Sequence, residues 1–275
     1  LVNYGADKLR QRKIRTYKLD AEILLSKVLK KTRERILVEF DQKIDKIQIS
    51  HYNNLIFRRL SHEPIAYLVK EKEFWSKKFI IDSNTLIPRP ETELMVEKLV
   101  KINKNKSLMM LDIGTGSGCI LLSLLSEIKN SKGVGIDISK KAINIAKKNA
   151  ERHKILRRAK FLKKSFDNYF QQKFDLIVAN LPYIPSYNIK NLDEDVRKYE
   201  PKLALDGGKD GLDLIRKVIY KAKEILKIKG LLGLEIGNGQ YKKVSKLLTE
   251  NKFRIEHKLF DYKDNIRCLV SRFNN

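Results

Sequence analysis

An apolar run over residues 108–113 passes directly into Gly114-Thr115-Gly116-Ser117-Gly118, and an apolar helical pattern begins near Cys119. Three glycines in five residues let a backbone leave a strand, turn tightly and enter a helix at close quarters, a path that side chains would obstruct. The segment is therefore predicted to be a strand–turn–helix unit. The pattern then repeats. Short apolar runs at 133–137, 159–162, 174–179 and 230–236, and a late pair within 253–273, are separated by amphipathic stretches such as 140–153 and 212–228. Apolar strands alternating with helices of 3.6-residue period predict an α/β fold, a doubly wound, mostly parallel sheet buried on both faces.

The spacing of the glycines narrows what the turn can hold. In the dinucleotide fingerprint the third glycine follows the second by three residues, whereas Gly118 follows Gly116 by two, and no Gly-Lys-Ser/Thr is present. A pyrophosphate cradle is thus disfavoured. The second strand nevertheless ends at Asp137, where a carboxylate can accept hydrogen bonds from both hydroxyls of a ribose. A nucleoside without a long phosphate satisfies both observations, and S-adenosyl-L-methionine is such a molecule. Gly114, Thr115, Gly116, Ser117, Gly118 and Asp137 are the predicted cofactor-binding residues, and Asp112 is a further candidate, for an ammonium group.

Asn180-Leu181-Pro182-Tyr183 stands at the carboxyl end of the run 174–179, the end at which open α/β sheets bind ligands. An amide nitrogen is a poor nucleophile because its lone pair is delocalised into the carbonyl. To receive a methyl group it needs acceptors for its two N–H groups and a flat surface against its plane. The Asn180 side-chain oxygen and the Leu181 backbone carbonyl can serve as the acceptors and Tyr183 as the surface, while Pro182 stiffens the loop. These four residues are the predicted catalytic and substrate-binding group, with Asn180 also bordering the cofactor.

Residues 1 to about 70 carry helical patterns at 20–29, 32–40 and 50–60, with Asp20 expected as a helix N-cap. An aromatic and β-branched stretch at 73–81 then reads as a hairpin or linker strand, and Thr92 or Pro90 as the start of a helix reaching residue 102. The expected domains are 1–72, 73–90 and 91–275. The chain carries 58 Lys and Arg against 33 Asp and Glu, a net charge of +25, which first suggests nucleic acid. The excess is spread in proportion to length, net +7 over residues 1–75 and +18 over 76–275. That reads as a lysine-rich composition and not as a dedicated basic arm. With only Cys119 and Cys268 no disulfide framework is implied, and the four scattered histidines give no metal-ligand spacing. No apolar run approaches the roughly 18 residues of a membrane span, and the first residues have no signal-peptide pattern, so a cytoplasmic location is expected. Leu1 is not an initiator, so residues are expected ahead of it.

Taken in order, several stretches resemble the release factor glutamine methyltransferases, the HemK/PrmC family. They are 63–67 (Glu-Pro-Ile-Ala-Tyr), 73–75, 86–93 (Leu-Ile-Pro-Arg-Pro-Glu-Thr-Glu), 112–118, Asp137, 180–183, 200–201, 204–211 and 235–240. The resemblance implies a helical amino-terminal domain that docks a substrate protein, a hairpin linker and a class I methyltransferase domain. It implies methyl transfer from S-adenosyl-L-methionine to the side-chain nitrogen of the Gln in the Gly-Gly-Gln motif of peptide chain release factors, with no metal, membrane or direct nucleic-acid binding required. It also places Phe166 against the adenine, though core packing is an equal reading of that residue, and puts Arg89, Glu91 and Glu93 near the cofactor. Two departures stand out: Leu181 replaces the usual first Pro of Asn-Pro-Pro-Tyr, and Val69 stands where a Gly is expected. Asn-Leu-Pro-Tyr is also the form found in rRNA adenine dimethyltransferases, so an RNA adenine N6-methyltransferase is the first alternative. A methyltransferase of a ribosomal-protein Gln is the second, and a cofactor-binding module without activity the third.

Overall fold

The computed structural model describes residues 1–38, 43–169 and 172–274. It divides into two compact units, residues 1–71 with 193–199, and residues 72–192 with 200–275.

The first unit is helical. It contains α1 (Val2–Gln11), α2 (Tyr17–Leu29), α3 (Arg33–Val38), α4 (Lys46–Leu60) and α5 (Ile65–Val69), together with the short helix Glu194–Tyr199 from later in the chain. The pattern expected at 32–40 ends within the described residues at Val38; residues 39 and 40 lie outside them. Leu9, Leu24, Leu25, Tyr52, Leu55 and Ile56 form the core. A Cβ on Gly5 would lie 2.1 Å from the Tyr52 hydroxyl, so α1 approaches α4 more closely than any side chain allows. Asp45 caps α4, accepting from the Gln48 N–H at 2.7 Å while the Gln48 side chain accepts from the Asp45 N–H, so the helix starts four residues before the pattern predicts.

Asp20 is not the expected N-cap. Thr16 precedes α2, and Asp20 lies within the helix, 3% exposed, where Arg59 Nε donates to its Oδ2 at 2.7 Å. A buried carboxylate is tolerated here because a guanidinium from α4 meets it. Asp20→Ala leaves Arg59 buried and uncompensated, and is expected to cost about 3–5 kcal/mol in chemical denaturation. Asp20→Leu combined with Arg59→Met is expected to recover most of that loss, and a double variant no more stable than Asp20→Ala would contradict this account.

The second unit carries the hairpin β1 (Glu71–Phe74) and β2 (Lys77–Ile80), then α6 (Pro90–Asn103), β3 (Met109–Ile113), α7 (Cys119–Glu127), β4 (Lys132–Asp137), α8 (Lys140–Arg152), β5 (Ala159–Lys163) and β6 (Phe174–Ala179). With the helix Glu194–Tyr199 numbered α9, the remainder is α10 (Asp213–Ile225), β7 (Leu226–Glu235), α11 (Tyr241–Glu250), β8 (Phe253–Phe260) and β9 (Ile266–Phe273). The sheet order is β5-β4-β3-β6-β7-β9-β8, parallel from β5 to β7, with β9 antiparallel to both its neighbours. This is the predicted doubly wound architecture. Along β3, Met110 enters one apolar layer with α6, α7 and α8, and Leu111 and Ile113 enter the other with α10 and α11. Burial on both faces is why the strands read as nearly continuous apolar runs. The helical pattern expected over 212–228 stops at Ile225, because Leu226 takes extended geometry and pairs with Phe174, so β7 begins four residues early.

Asn149 on α8 joins three parts of this unit. Fully buried, it accepts from the Ile80 N–H at 2.7 Å and donates to the carbonyls of Ile80 and Ser117, each at 2.9 Å. It ties the hairpin and the glycine turn to one helix. Asn149→Ala leaves the buried Ser117 carbonyl and the half-buried Ile80 N–H and carbonyl without this partner, and is expected to lower the denaturation free energy by about 2–3 kcal/mol. A loss under about 0.5 kcal/mol would mean that water replaces the amide without cost.

Candidate active site

The chain proceeds outward from β3 in one direction to β4 and β5, then returns to the other side of β3 as β6. The crevice at the carboxyl ends of β3 and β6 is therefore the topological switch point of the sheet. Ile113 pairs with Ala179, so Gly114 and Asn180, the next residues of the two strands, emerge side by side. The sheet register brings together two motifs that lie 66 residues apart in sequence.

Gly114, Gly116 and Gly118 all take positive φ, at 71°, 53° and 81°. The N–H groups of Gly114 and Thr115 both donate to the Ile136 carbonyl, at 2.9 and 3.0 Å, which holds the turn against the end of β4. A Cβ on Gly116 would meet nothing nearer than the Gly114 carbonyl oxygen at 3.9 Å, so backbone is exposed there for close approach. Thr115 and Ser117 are buried. Asp137 accepts from the Gly116 N–H at 3.0 Å and from the Ser139 N–H at 2.8 Å. Burial raises its pKa and these N–H groups counter the rise. A carboxylate has about four acceptor sites, so acceptor capacity remains for ligand hydroxyls.

Asp112 is 1% exposed, and Thr115 Oγ1 donates to its Oδ2 at 2.6 Å, whereas Oδ1 has no hydrogen-bond partner. Loss of hydration pushes its pKa up to about 7; Thr115 and the Leu121 N–H oppose this, and the Asp137 charge adds to it. Ile138, which the sequence reading did not single out, is 56% exposed immediately after Asp137, an apolar side chain left open at the lip of the crevice. Phe166 is 8% exposed and belongs to the apolar layer that includes Leu212 and Ile215.

Among the other predicted residues, Leu181 is 5% exposed, and its side chain lies 3.4 Å from where a Gly114 Cβ would be, so it packs beneath the turn. Gln240 Nε2 donates to the Tyr183 carbonyl at 2.8 Å, and Gln240 Oε1 accepts from the Gly237 N–H at 2.7 Å, pinning the loop after Pro182. Tyr183 donates its hydroxyl to Glu235 Oε1 at 3.2 Å, and the Arg267 guanidinium lies 5.5 Å from its ring centroid. Burial and the neighbouring Glu235 raise the phenol's pKa. Asn180 is half-buried, and its Nδ2 donates to Thr92 Oγ1 at 3.2 Å.

The candidates from the linker are tied into the scaffold. Arg89 pairs with Glu200, whose other oxygen accepts from the Ile87 N–H, and Glu93 accepts from the Trp75 N–H at 2.9 Å, closing the hairpin turn where Trp75 and Ser76 both have positive φ. Glu91 lies in the first turn of α6 and its carbonyl accepts a weak bond from Cys268 Sγ. Thr92 and Glu235 lie in the stretches 86–93 and 235–240 that carry the resemblance, without a chemical role of their own to single them out, and Arg267, which adjoins Tyr183, lies in none. Among the described residues no group of three or more His, Cys, Asp or Glu is placed to hold a metal ion, and no helix is long and apolar enough to cross a membrane.

Residues 1–69 match the family described as the PrmC N-terminal domain, and residues 104–201 one described as a methyltransferase domain. A bifunctional methyltransferase of Rickettsia typhi is 35% identical over 289 residues, which cover 98% of this chain and 56% of that protein. The chain thus spans little more than half the length of that relative. The release factor glutamine methyltransferase of Buchnera aphidicola subsp. Baizongia pistaciae is 41% identical over 255 residues, covering 92% of this chain and 91% of that one. Among solved structures, a ribosomal protein L11 methylase from Lactobacillus delbrueckii subsp. bulgaricus superposes with a TM-score of 0.53 at 21% identity, over 71% of this chain and 84% of that one, a likeness of fold. Identity of this order over nearly the full length of the Buchnera protein, with the amino-terminal match, places the chain in the release factor glutamine methyltransferase family.

Proposed function

We propose that this chain transfers a methyl group from S-adenosyl-L-methionine to the side-chain amide nitrogen of the Gln in the Gly-Gly-Gln motif of peptide chain release factors. The observation that carries the proposal is the pairing of Ile113 with Ala179, which sets the Asn180 carboxamide beside the glycine turn. The residues present fit the cofactor. The unpartnered Asp112 Oδ1 suits its ammonium group, the exposed backbone at Gly116 its close approach, the remaining acceptor sites of Asp137 its ribose, and the open Ile138 side chain a flat base. When bound, the cofactor supplies an electrophilic methyl group on a sulfonium.

The chain's own residues then hold the acceptor. Asn180 Oδ1 takes one N–H of the Gln amide and the Leu181 carbonyl takes the other, so the nitrogen faces the methyl group in line with the bond that breaks. Tyr183, fixed by Glu235, Arg267 and Gln240, offers a flat wall to the amide plane. The transfer makes one C–N bond and breaks one C–S bond, and one amide proton leaves to solvent. Positioning and the two acceptors do the work, and no side chain needs to become covalently attached. Leu181 in place of Pro loses one fixed φ but seals the underside of the turn, and its backbone carbonyl is unaffected by the exchange. The helical first unit is the part we assign to docking the release factor.

The experiment is a direct competition among acceptors. Purified chain is incubated with labelled S-adenosyl-L-methionine and, separately, with release factor, ribosomal protein and ribosomal RNA. Label is expected on release factor; label on RNA alone would favour adenine methylation instead.

A further inference from the structure

Five side chains from three elements and one loop form a chain of hydrogen bonds behind the reacting position. Asn180 Nδ2 donates to Thr92 Oγ1 at 3.2 Å, the Thr92 hydroxyl donates to Glu235 Oε2 at 2.5 Å, the Tyr183 hydroxyl donates to Glu235 Oε1 at 3.2 Å, and Arg267 donates to the Tyr183 oxygen at 3.0 Å. Thr92 is 2% exposed and Glu235 1%, so solvent and substrate are kept from both. Burial raises the Glu235 pKa, while the Thr92 hydroxyl, the Arg267 charge and the Tyr183 hydroxyl favour its ionised form; an ionised carboxylate only accepts, and a hydroxyl has a single hydrogen. With that hydrogen committed to Glu235, Thr92 Oγ1 can offer Asn180 lone pairs alone. The NH2 end of the carboxamide must therefore face Thr92, and the oxygen must point the other way.

We infer that Thr92 and Glu235 are positioning residues that fix which end of the Asn180 carboxamide meets the substrate, and thereby select an amide side chain over a carboxylate as the methyl acceptor. The inference rests on the proposed role of Asn180. With Oδ1 presented, a Gln side chain can donate its N–H, whereas a Glu side chain brings only lone pairs against a lone pair. A reversed carboxamide would present NH2. It would then attract the Gln carbonyl or a Glu carboxylate, and place an oxygen where the nitrogen must sit. Glu235 exerts this control without touching the substrate, through the direction of one hydroxyl hydrogen.

The test uses the full chain with intact release factor, and with release factor carrying Glu in place of the motif Gln. Turnover and KM are measured on the first, and dissociation constants on both. Thr92→Val removes the hydroxyl at nearly constant volume. It is expected to lower kcat at least about tenfold and to bring the Gln-over-Glu binding preference close to unity. Thr92→Ser restores the hydroxyl and is expected to recover most of both losses. Glu235→Gln, which can donate as well as accept, is expected to relax the preference while the protein still melts cooperatively, and it carries the comparison alone if Thr92→Val does not fold. A purely structural role for Thr92 would weaken binding of both acceptors equally and leave the preference intact. Parental kcat and preference in both Thr92→Val and Glu235→Gln would overturn the inference, provided that Asn180→Ala is inactive. Full activity in Asn180→Ala would instead remove the reading of the site on which it rests.

Discussion

Asn180→Ala is expected to reduce kcat on release factor by about 100- to 1000-fold, the scale seen when a single well-placed hydrogen-bonding group is removed from a reacting centre. The affinity for S-adenosyl-L-methionine is expected to stay within about threefold, because the amide contributes mainly to the acceptor and the glycine turn remains intact. The physical reason is geometric. An amide nitrogen offers its lone pair only when held in line with the methyl group, and in the proposed mechanism Asn180 supplies one of two acceptors that hold it. The residue follows Ala179, half-buried at the carboxyl end of a strand whose preceding four residues are fully buried, so its backbone is rigid and Ala can occupy the position without refolding. Single-turnover kinetics with a parallel calorimetric titration separates the two effects. Equal loss in both would show that Asn180 mainly builds the cofactor site.

The second large effect concerns pH. Burial raises the Asp112 pKa to about 7, and a cationic ammonium placed beside Oδ1 favours the charged form. Binding below about pH 7 must then expel a proton, so cofactor affinity is expected to fall by up to about tenfold for each pH unit below that point and to level off above it. Asp137, Thr115 and the Leu121 N–H face the same carboxyl, and the Thr115 and backbone bonds are already made without ligand, so the free Oδ1 is the part whose environment changes. The same shift bears on the protein without ligand. The folded-state pKa lies above the unfolded value of 3.8, so folding takes up a proton and the contribution to stability declines as pH rises from 3.8 to about 7. Asp112→Asn removes the charge that attracts the ammonium and is expected to flatten the pH dependence of binding between pH 6 and 8. Titrations in buffers of different ionisation enthalpy count the protons. An unchanged slope in Asp112→Asn would assign the dependence to another group.

What was legible from sequence follows from how far the determining contacts reach. The strand, the glycine turn and Asp137 were readable because each depends on neighbours within one strand–helix–strand unit, and Asn180 because a polar residue ending an apolar strand is a local signal. The hydrogen bonds that link Asn180 to its neighbours were not readable. Thr92 is 88 residues from Asn180 and 143 from Glu235, and only the pairing of β6 with β7 and the packing of α6 bring them together. Arg267 reaches Tyr183 across 84 residues, from an antiparallel strand. Asp20 was misread as a cap for the same reason: Arg59, 39 residues later, turns an unfavourable mid-helix carboxylate into a buried ion pair. Asn149 lies on an amphipathic helix whose polar residues are otherwise solvated, and its burial depends on the hairpin at Ile80. The +25 charge, the most conspicuous feature of the composition, took no part in the argument for the site.

The central claim is that a Gln side-chain nitrogen of a release factor is the methyl acceptor. The most direct measurement compares intact release factor with the same protein carrying Ala at the Gln of its Gly-Gly-Gln motif, each incubated with this chain and labelled S-adenosyl-L-methionine, followed by mapping of the label by mass spectrometry. The account predicts stoichiometric label on the motif Gln of the intact protein and none on the Ala form. Equal labelling of the two, or label at any other residue, would contradict it.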